Sequence, residues 1–314
     1  MKAAIVREFG ATPVYGDFEE PSAQAGQSVI KVHVAPLSPI VRALAAGRHY
    51  TSVAAAGFVP GIDGVGLDPE GRRVYFLFPQ SPFGSMGELS LVSSQMIAPV
   101  PDALSDVQAA AVATAGLASW IALTRRAPIQ EGQAVLINGA TGAAGAMGAQ
   151  IARRFGAGKI IAVGRNTERL AKVDADVRIE LGQEADLLLR AQFDHGVDVV
   201  LDFLWGEPAK RLITAATQQR ASRTGEPRLR YVQLGSIAGD EIALRADSLR
   251  GSGLELLGSG IGSVSIGELI AGAAELMAQA AASSFEAPVE LLPLQDVAKA
   301  WGGPDGVRYL LSMV

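Results

Sequence analysis

The chain contains no cysteine. That single absence excludes disulfides, thiolate zinc sites and a cysteine nucleophile. Histidine is scarce too, and His33, His49 and His195 are too scattered to make a metal cluster. There is no excess of positive charge. Lys and Arg number 27 against 32 Asp and Glu, a formal net charge of −5, whereas a nucleic-acid-binding face needs clustered cations. The opening residues Met1-Lys2-Ala3-Ala4-Ile5-Val6-Arg7-Glu8 reach charge before an apolar run can form, so no secretory leader is expected. The longest uncharged stretch, 132–152, has the length of a membrane helix. It also carries Gly132, Gly139, Gly142, Gly145 and Gly148 with Gln133, Asn138 and Gln150, and reads instead as a buried strand followed by a glycine turn. A cytoplasmic chain is the expectation, and no internal repeat of fixed period is visible.

What is present is ample for burial. At 314 residues, 49% hydrophobic and 19% charged, the chain predicts about two domains with a sizeable core. The first hundred residues read as β-rich. Short runs of β-branched and aromatic residues at 2–6, 28–34, 73–78 and 88–92 are bounded by Gly10, Pro21, Gly26, Gly71 and Pro79. A short helix is expected at 40–46. Near Pro101 the character changes. Ser105 or Asp106 can cap a helix running to Arg126, and strands then alternate with helices. The strands fall at 134–137, 159–163, 177–180, 197–201, 231–234 and 254–257, and the helices at 143–155, 167–173, 184–191, 208–217 and 265–282. Continuous apolar strands in such an alternation predict a parallel doubly wound sheet. The basic stretch 217–230, with Arg220, Arg223, Arg228 and Arg230, reads as a surface loop. Strands at 288–292 and 308–311 return to the β-rich character and complete the first domain.

The most informative segment is Val135-Leu136-Ile137-Asn138-Gly139-Ala140-Thr141-Gly142-Ala143-Ala144-Gly145-Ala146-Met147-Gly148. An apolar strand enters a turn with glycines three apart and leaves as a helix. The free amides of that helix suit a pyrophosphate, and glycine lets the backbone approach it. The pattern is G-x-x-G-x-x-G, with Thr141 at the usual middle glycine. The alternative is tight helix–sheet packing without a ligand. The second strand ends in Gly164-Arg165-Asn166, and no acidic residue appears before Glu168. An acidic residue there would accept from the ribose of NAD, whereas an arginine can bind the 2′-phosphate of NADP. NADP(H) is therefore favoured, the alternative for Arg165 being a solvated surface residue. Asp202-Phe203-Leu204-Trp205-Gly206 and Leu234-Gly235-Ser236 follow the fourth and fifth strands of this sheet, where open parallel sheets bind ligands.

With these segments in hand, the chain resembles the medium-chain dehydrogenase/reductase superfamily, in its zinc-independent quinone oxidoreductase-like branch. The resemblance rests on Val59-Pro60-Gly61-Ile62-Asp63-Gly64-Val65-Gly66, Gly84-Ser85-Met86-Gly87-Glu88-Leu89, Gly139 to Gly145, Arg165, and Pro293-Leu294 with Val297 and Ala300. It implies an α/β fold: a GroES-like β-rich catalytic domain at 1–104 and 284–314, and a Rossmann-like NADP-binding domain with a doubly wound parallel sheet at 105–283. It also implies a homodimer paired along the apolar strand at 254–257. Ile62-Asp63 replaces the His-Glu pair of the zinc-dependent members, so neither a catalytic nor a structural zinc is expected. Short-chain reductases are set aside, because their glycine turn is N-terminal and none of the five tyrosines here has Lys four residues on.

The implied activity is NADPH-dependent hydride transfer to a quinone or α,β-unsaturated carbonyl. The substrate would be a small molecule, with no nucleic acid or membrane partner. Cofactor contacts are expected from Gly139, Ala140, Thr141, Gly142, Ala143, Ala144, Gly145, Gly164, Arg165, Asn166, Phe203, Leu204, Leu234, Gly235 and Ser236. Negative charge building on the acceptor oxygen calls for a hydrogen-bond donor. The Asn, Asp and Tyr often found in that branch fall here at Ser38, Val41 and Ala43, so the polar set does not carry over. Tyr50 and Ser38 are the candidate donors, Tyr50 being otherwise an ordinary half-buried tyrosine; Arg42 and His49 lie in the same segment. An enoyl-thioester reductase is the enzymatic alternative, with the arginines at 220–230 as a track for its carrier. A non-catalytic NADPH sensor is the alternative from another class.

Overall fold

The computed structural model describes every residue except Tyr50, Ala221, Asp305 and Val314. The chain divides into two units, 1–115 with 266–314, and 116–265.

The first unit begins with β1 (Lys2–Ile5) and β2 (Val14–Asp17), an antiparallel pair. They are followed by β3 (Gln27–Leu37), α1 (Pro39–Ala45), β4 (Asp63–Leu67), β5 (Arg73–Leu77), β6 (Leu89–Ser93), β7 (Ile97–Pro99) and α2 (Asp106–Ile121), which runs on past 115 into the second unit. Ser105 caps α2 by accepting from the Gln108 amide at 3.2 Å, as its hydroxyl and position predict. A wider helical turn, Ala122–Arg126, continues α2. The stretch 106–126 is long and apolar enough to cross a membrane by length and composition, yet 72% of its apolar window is buried inside the chain.

The second unit holds β8 (Ala134–Asn138), α3 (Ala143–Arg154), β9 (Lys159–Gly164), α4 (Thr167–Ala171), β10 (Val177–Glu180) and α5 (Ala185–His195). It continues with β11 (Val199–Asp202), α6 (Gly206–Thr217), β12 (Leu229–Gln233), α7 (Ala246–Arg250) and β13 (Leu254–Gly258). The first unit is then completed by α8 (Ile266–Ala282), β14 (Glu290–Pro293), α9 (Val297–Trp301) and β15 (Tyr309–Ser312).

The 11-residue β3 organises the large sheet of the first unit. Its beginning pairs with β6, its middle with β4 and its end with β15, all antiparallel. The sheet order is β14-β15-β3-β4-β5-β7. Ile30, Val32, Val74, Phe76, Met86, Val92 and Leu311 build its core. The sequence did not announce β4, whose two glycines (Gly64 and Gly66) conceal the period-two signal, nor the short β2 and β7. The unit boundaries at 115/116 and 265/266 differ from the 104/105 and 283/284 read from the sequence. Packing places α8 with the first unit, because it lies against β7.

The second unit carries a six-stranded sheet in the order β10-β9-β8-β11-β12-β13, with every pair parallel. Every residue of β8 and of β11 is buried, as strands covered on both faces must be. The strand order reverses between β8 and β11. In doubly wound sheets the ligand crevice opens at that switch, beyond the carboxyl ends of the strands.

Candidate functional site

The turn between β8 and α3 sits at the switch. Gly139 has φ +89°, a conformation that glycine adopts without penalty. The amides of Gly139 and Ala140 both donate to the Val163 carbonyl of β9 at 3.0 Å, which lays the turn over the sheet. A Cβ at Gly145 would stand 2.4 Å from the Gly139 carbonyl oxygen and 2.8 Å from Ala140 Cα, so only glycine lets α3 start this close to the turn. Gly142 caps α3 with no side chain of its own to occupy the first amides. The N–H groups of Ala143, Ala144 and Gly145 open the helix and have no i−4 carbonyl within it. Donors of this kind, at the positive end of a 12-residue helix, fit a diphosphate.

Asp202, the last residue of β11, ties the site together. In register it lies opposite both Asn138 of β8 and Gln233 of β12. Its Oδ1 accepts from Asn138 Nδ2 at 2.7 Å and from the amides of Leu204 at 3.0 Å and Trp205 at 3.2 Å. Its Oδ2 accepts from the Tyr231 hydroxyl at 2.8 Å. Its backbone carbonyl takes the amides of Leu234 and Gly235, while the Phe203 amide donates to the Asn138 carbonyl. Asp202 thus ties the 203–205 segment to the end of β8 through its carboxylate, and holds the 234–235 segment through its backbone carbonyl. Burial raises the Asp202 carboxyl above its ordinary value, and the donors around it hold it back. Burial and the Asp202 charge push the Tyr231 phenol well up. Two features mark tension here. Trp205 sits at φ +56°, costly for a residue with a Cβ, and Asn138 Oδ1 is buried without a partner among the described residues.

At the end of β9, Arg165 is exposed and makes no hydrogen bond or ion pair among the described residues. Its neighbour Asn166 is occupied, since Oδ1 caps α4 by accepting from the Arg169 amide at 2.8 Å. Phe203 is buried, Leu204 and Trp205 are half-buried, and Ser236 is exposed. An open groove of about 370 Å³ runs past the carboxyl ends of β12 and β13, lined by Trp205, Gln233, Ser236, Asp240 and Leu257. In the first unit, Ser38 stands at the N-cap of α1 yet makes no cap bond, and its Oγ is buried without a partner among the described residues. Tyr50 lies outside the described residues.

No family model matches the chain. The chain is similar to a probable NADPH-dependent quinone reductase of Emericella nidulans, 27% identical over 350 residues that span 97% of each chain. It is 29% identical to the quinone oxidoreductase of Rattus norvegicus over 222 residues, 65% of this chain and 66% of that one. Among solved structures, the quinone oxidoreductase of Thermus thermophilus, whose structures include a complex with NADPH, superposes with a TM-score of 0.80. That comparison covers 100% of both chains at 25% identity. In sequence and in fold the chain is therefore similar to quinone oxidoreductases over nearly its whole length.

The described residues between 38 and 49 offer little chemistry. Val41 is fully buried and Ala43 half-buried, both apolar. Arg42 is committed to structure: Nη1 donates to the Trp301 carbonyl at 2.5 Å, Nη2 to the Ala300 carbonyl at 3.1 Å, and the guanidinium stacks 5.2 Å over the Trp301 ring. His49 Nδ1 lies 2.8 Å from Thr51 Oγ1, and burial lowers its pKa. The basic loop read at 217–230 needs correction. Arg230 belongs to β12 and is buried, donating to the Pro128 carbonyl at 2.6 Å and to Gln133 Oε1 at 2.7 Å. Arg228 pairs with Glu255 and Arg220 with Asp194. Three of the four arginines are thus engaged within the fold. The sequence places Asp202 just after the fourth strand, in a segment expected to meet the ligand, but assigns it no role of its own. The signal for more was there, since a single carboxylate closes an otherwise apolar strand beside the switch.

Proposed function

We propose that the chain is an NADPH-dependent oxidoreductase that transfers hydride to a quinone or an α,β-unsaturated carbonyl without a metal. The observation that carries this reading is the switch-point assembly. The glycine turn offers free amides, Asp202 holds the Phe203–Trp205 and Leu234–Gly235 segments beside it, and Arg165 at the end of the next strand is exposed with no partner among the described residues. The names of the fungal relative and of the Thermus complex support the same cofactor and acceptor class.

The turn fits a dinucleotide, because glycine at 145 lets α3 start against the Gly139 carbonyl and leaves its first amides open to a diphosphate. Ala143, Ala144 and Gly145 would hold the diphosphate through their amides. Arg165 would pair with the 2′-phosphate, a charge-assisted contact that NADH cannot make. Phe203, Leu204, Leu234, Gly235 and Ser236 would border the nicotinamide end. When bound, the reduced nicotinamide supplies a hydride. The protein orients the partners and stabilises charge on the acceptor oxygen, with the Ser38 hydroxyl as donor. The same reading takes the chain as a cytoplasmic homodimer joined along β13, the sheet edge on which Leu256 is 38% exposed. A monomer mass by light scattering at micromolar concentration would remove that element.

A fluorescence titration with NADPH and NADH tests the cofactor. Oxidation assays with 1,4-benzoquinone, 9,10-phenanthrenequinone and an alkyl enone test the chemistry. Preferential NADPH binding with acceptor-dependent oxidation is the expected result. Binding without turnover across the panel would favour an NADPH sensor, a reading that apolar Val41 and Ala43 already support. Binding of neither nucleotide would sink both.

A further inference from the structure

The glycine turn departs from the usual fingerprint at one position, where Thr141 replaces the middle glycine and brings a hydroxyl. The amides of Gly139 and Ala140 both donate to the Val163 carbonyl, so the turn crosses over the end of β9. The Thr141 side chain then lies against Gly164, the last residue of that strand. A Cβ at Gly164 would stand 2.7 Å from Thr141 Cγ2, 3.3 Å from Thr141 Oγ1 and 3.5 Å from Leu170 Cδ1. Gly164 is not among the residues with positive φ, so its backbone does not call for glycine. What calls for glycine there is the room that the threonine fills.

Packing accounts for the Thr141 methyl, which is the branch nearer Gly164. It does not account for the hydroxyl. Thr141 is half-buried, and its Oγ1 makes no hydrogen bond among the described residues. Valine would fill the same space without bringing a donor. Arg165 follows Gly164 directly and is also without a partner among the described residues. The next residue is occupied, because Asn166 Oδ1 accepts from the Arg169 amide at 2.8 Å. Two idle donors, one neutral and one charged, thus flank Gly164, in the place where a carboxylate would receive the ribose of NAD.

We propose that the Thr141 hydroxyl selects NADPH over NADH by donating to the 2′-phosphate that Arg165 pairs with. The proposal rests on the NADPH reading above and deepens it at one residue. The exposed arginine supplies charge, which solvent and salt screen. The hydroxyl, held between the turn and Gly164, supplies a directional donor, and such a bond is stronger to a charged acceptor than to a neutral one. The 2′-hydroxyl of NADH offers only the neutral bond.

The test measures binding by the full chain and needs no turnover. NADPH and NADH are titrated by fluorescence, and adenosine 2′,5′-bisphosphate and adenosine 5′-monophosphate, which differ only in the 2′-phosphate, by calorimetry. Thr141→Val keeps the volume and removes the donor, and Thr141→Ser returns it. Thr141→Val is expected to lower NADPH affinity about tenfold or more and to change NADH affinity by less than about twofold. The bisphosphate should lose affinity relative to the monophosphate in the same proportion, and Thr141→Ser should recover most of both losses. Gly164→Ala reaches the same donor by another route, since its Cβ would push the Thr141 side chain aside and the preference for NADPH should fall with the threonine still present. In Thr141→Gly the preference is already lost and the space is vacant, so adding Gly164→Ala should change little. Equal losses for NADPH and NADH in Thr141→Val would make the residue a packing group and overturn the proposal. A parent whose preference for NADPH is lost in Arg165→Ala and kept in Thr141→Val overturns the role of Thr141 alone. A parent that does not prefer NADPH to NADH defeats the cofactor reading, and the proposal falls with it.

Discussion

Asp202→Ala should separate the framework of the site from the rest of the second unit. Four donors converge on that carboxylate, and all lose their acceptor in the variant. Asn138 and Tyr231 are fully buried, where an orphaned group costs about 2 kcal/mol each. The amides of Leu204 and Trp205 are half-buried and partly rehydrate, at about 1 kcal/mol each. The parent already bears a desolvation cost for Asp202, shown by its raised pKa, and removing the charge returns part of it. The net expectation is about 4 kcal/mol of lost stability, a large share of the ~5–15 kcal/mol typical of native proteins. Asp202→Asn keeps an oxygen for the Oδ1 donors and presents an amide to the Tyr231 oxygen, so its cost should stay near ~1 kcal/mol. Function should follow the same split. Without the acceptor, Trp205 has no reason to remain at φ +56°, and the Phe203–Leu204 segment shifts beside the glycine turn. NADPH affinity should fall about tenfold or more in Asp202→Ala, equal to ~1.4 kcal/mol, and change little in Asp202→Asn. Urea denaturation and a fluorescence titration on the same samples read both effects. If the two variants unfold within about 1 kcal/mol of each other and bind NADPH like the parent, Asp202 is not the hub described here.

Three further outcomes are expected. Gly145→Ala drives a Cβ to within 2.4 Å of the Gly139 carbonyl oxygen, so the turn must move and NADPH affinity should drop about tenfold or more, read by fluorescence titration. Arg165→Ala should cost about 1.5–3 kcal/mol in NADPH binding and leave NADH binding unchanged; equal losses for both nucleotides would remove Arg165 from the 2′-phosphate. Asp63 should leave a pH signature in stability. Burial raises its folded pKa to about 6 from the ordinary 3.8, so the folded chain holds that proton more tightly. The contribution is complete below pH ~4, declines as pH rises to ~6 and is flat above, a change of about 3 kcal/mol at ~1.36 kcal/mol per unit. Relative to Asp63→Asn, the parent should therefore lose ground between pH ~4 and ~7 in urea denaturation, and parallel curves would contradict the raised pKa.

The parallel sheet was legible in the sequence because its strands are short, continuously apolar and separated by helices, so each element announces itself locally. The glycine turn was legible for the same reason, since the strand, the three-residue glycine spacing and the helix are contiguous. Asp202 and Asp63 were quoted in motifs without their buried settings, because those settings depend on partners far along the chain. Tyr231 lies 29 positions from Asp202, and Thr114 lies 51 from Asp63. The buried Arg230 misled for a related reason. A run of arginines looks like a solvated loop until its strand pairs and its guanidinium finds Pro128 and Gln133, about a hundred residues away. β4 escaped because glycine at alternate positions removes the side chains that carry a strand's period.

The pairing of β3 with β15 dictates an order of synthesis. Residues 34–37 find their partners only at 309–312, so nearly the whole chain must leave the ribosome before that sheet closes. At ~5–20 residues per second the wait is on the order of tens of seconds. All six strands of the second unit are contiguous within 116–265, and it can finish folding first. During the interval residues 34–37 of β3 lack their β15 partner and present open backbone, a template for mispairing between nascent chains. Truncations or fusions that delay β14 and β15 should therefore be felt first as poor yield of folded protein, before any effect on catalysis.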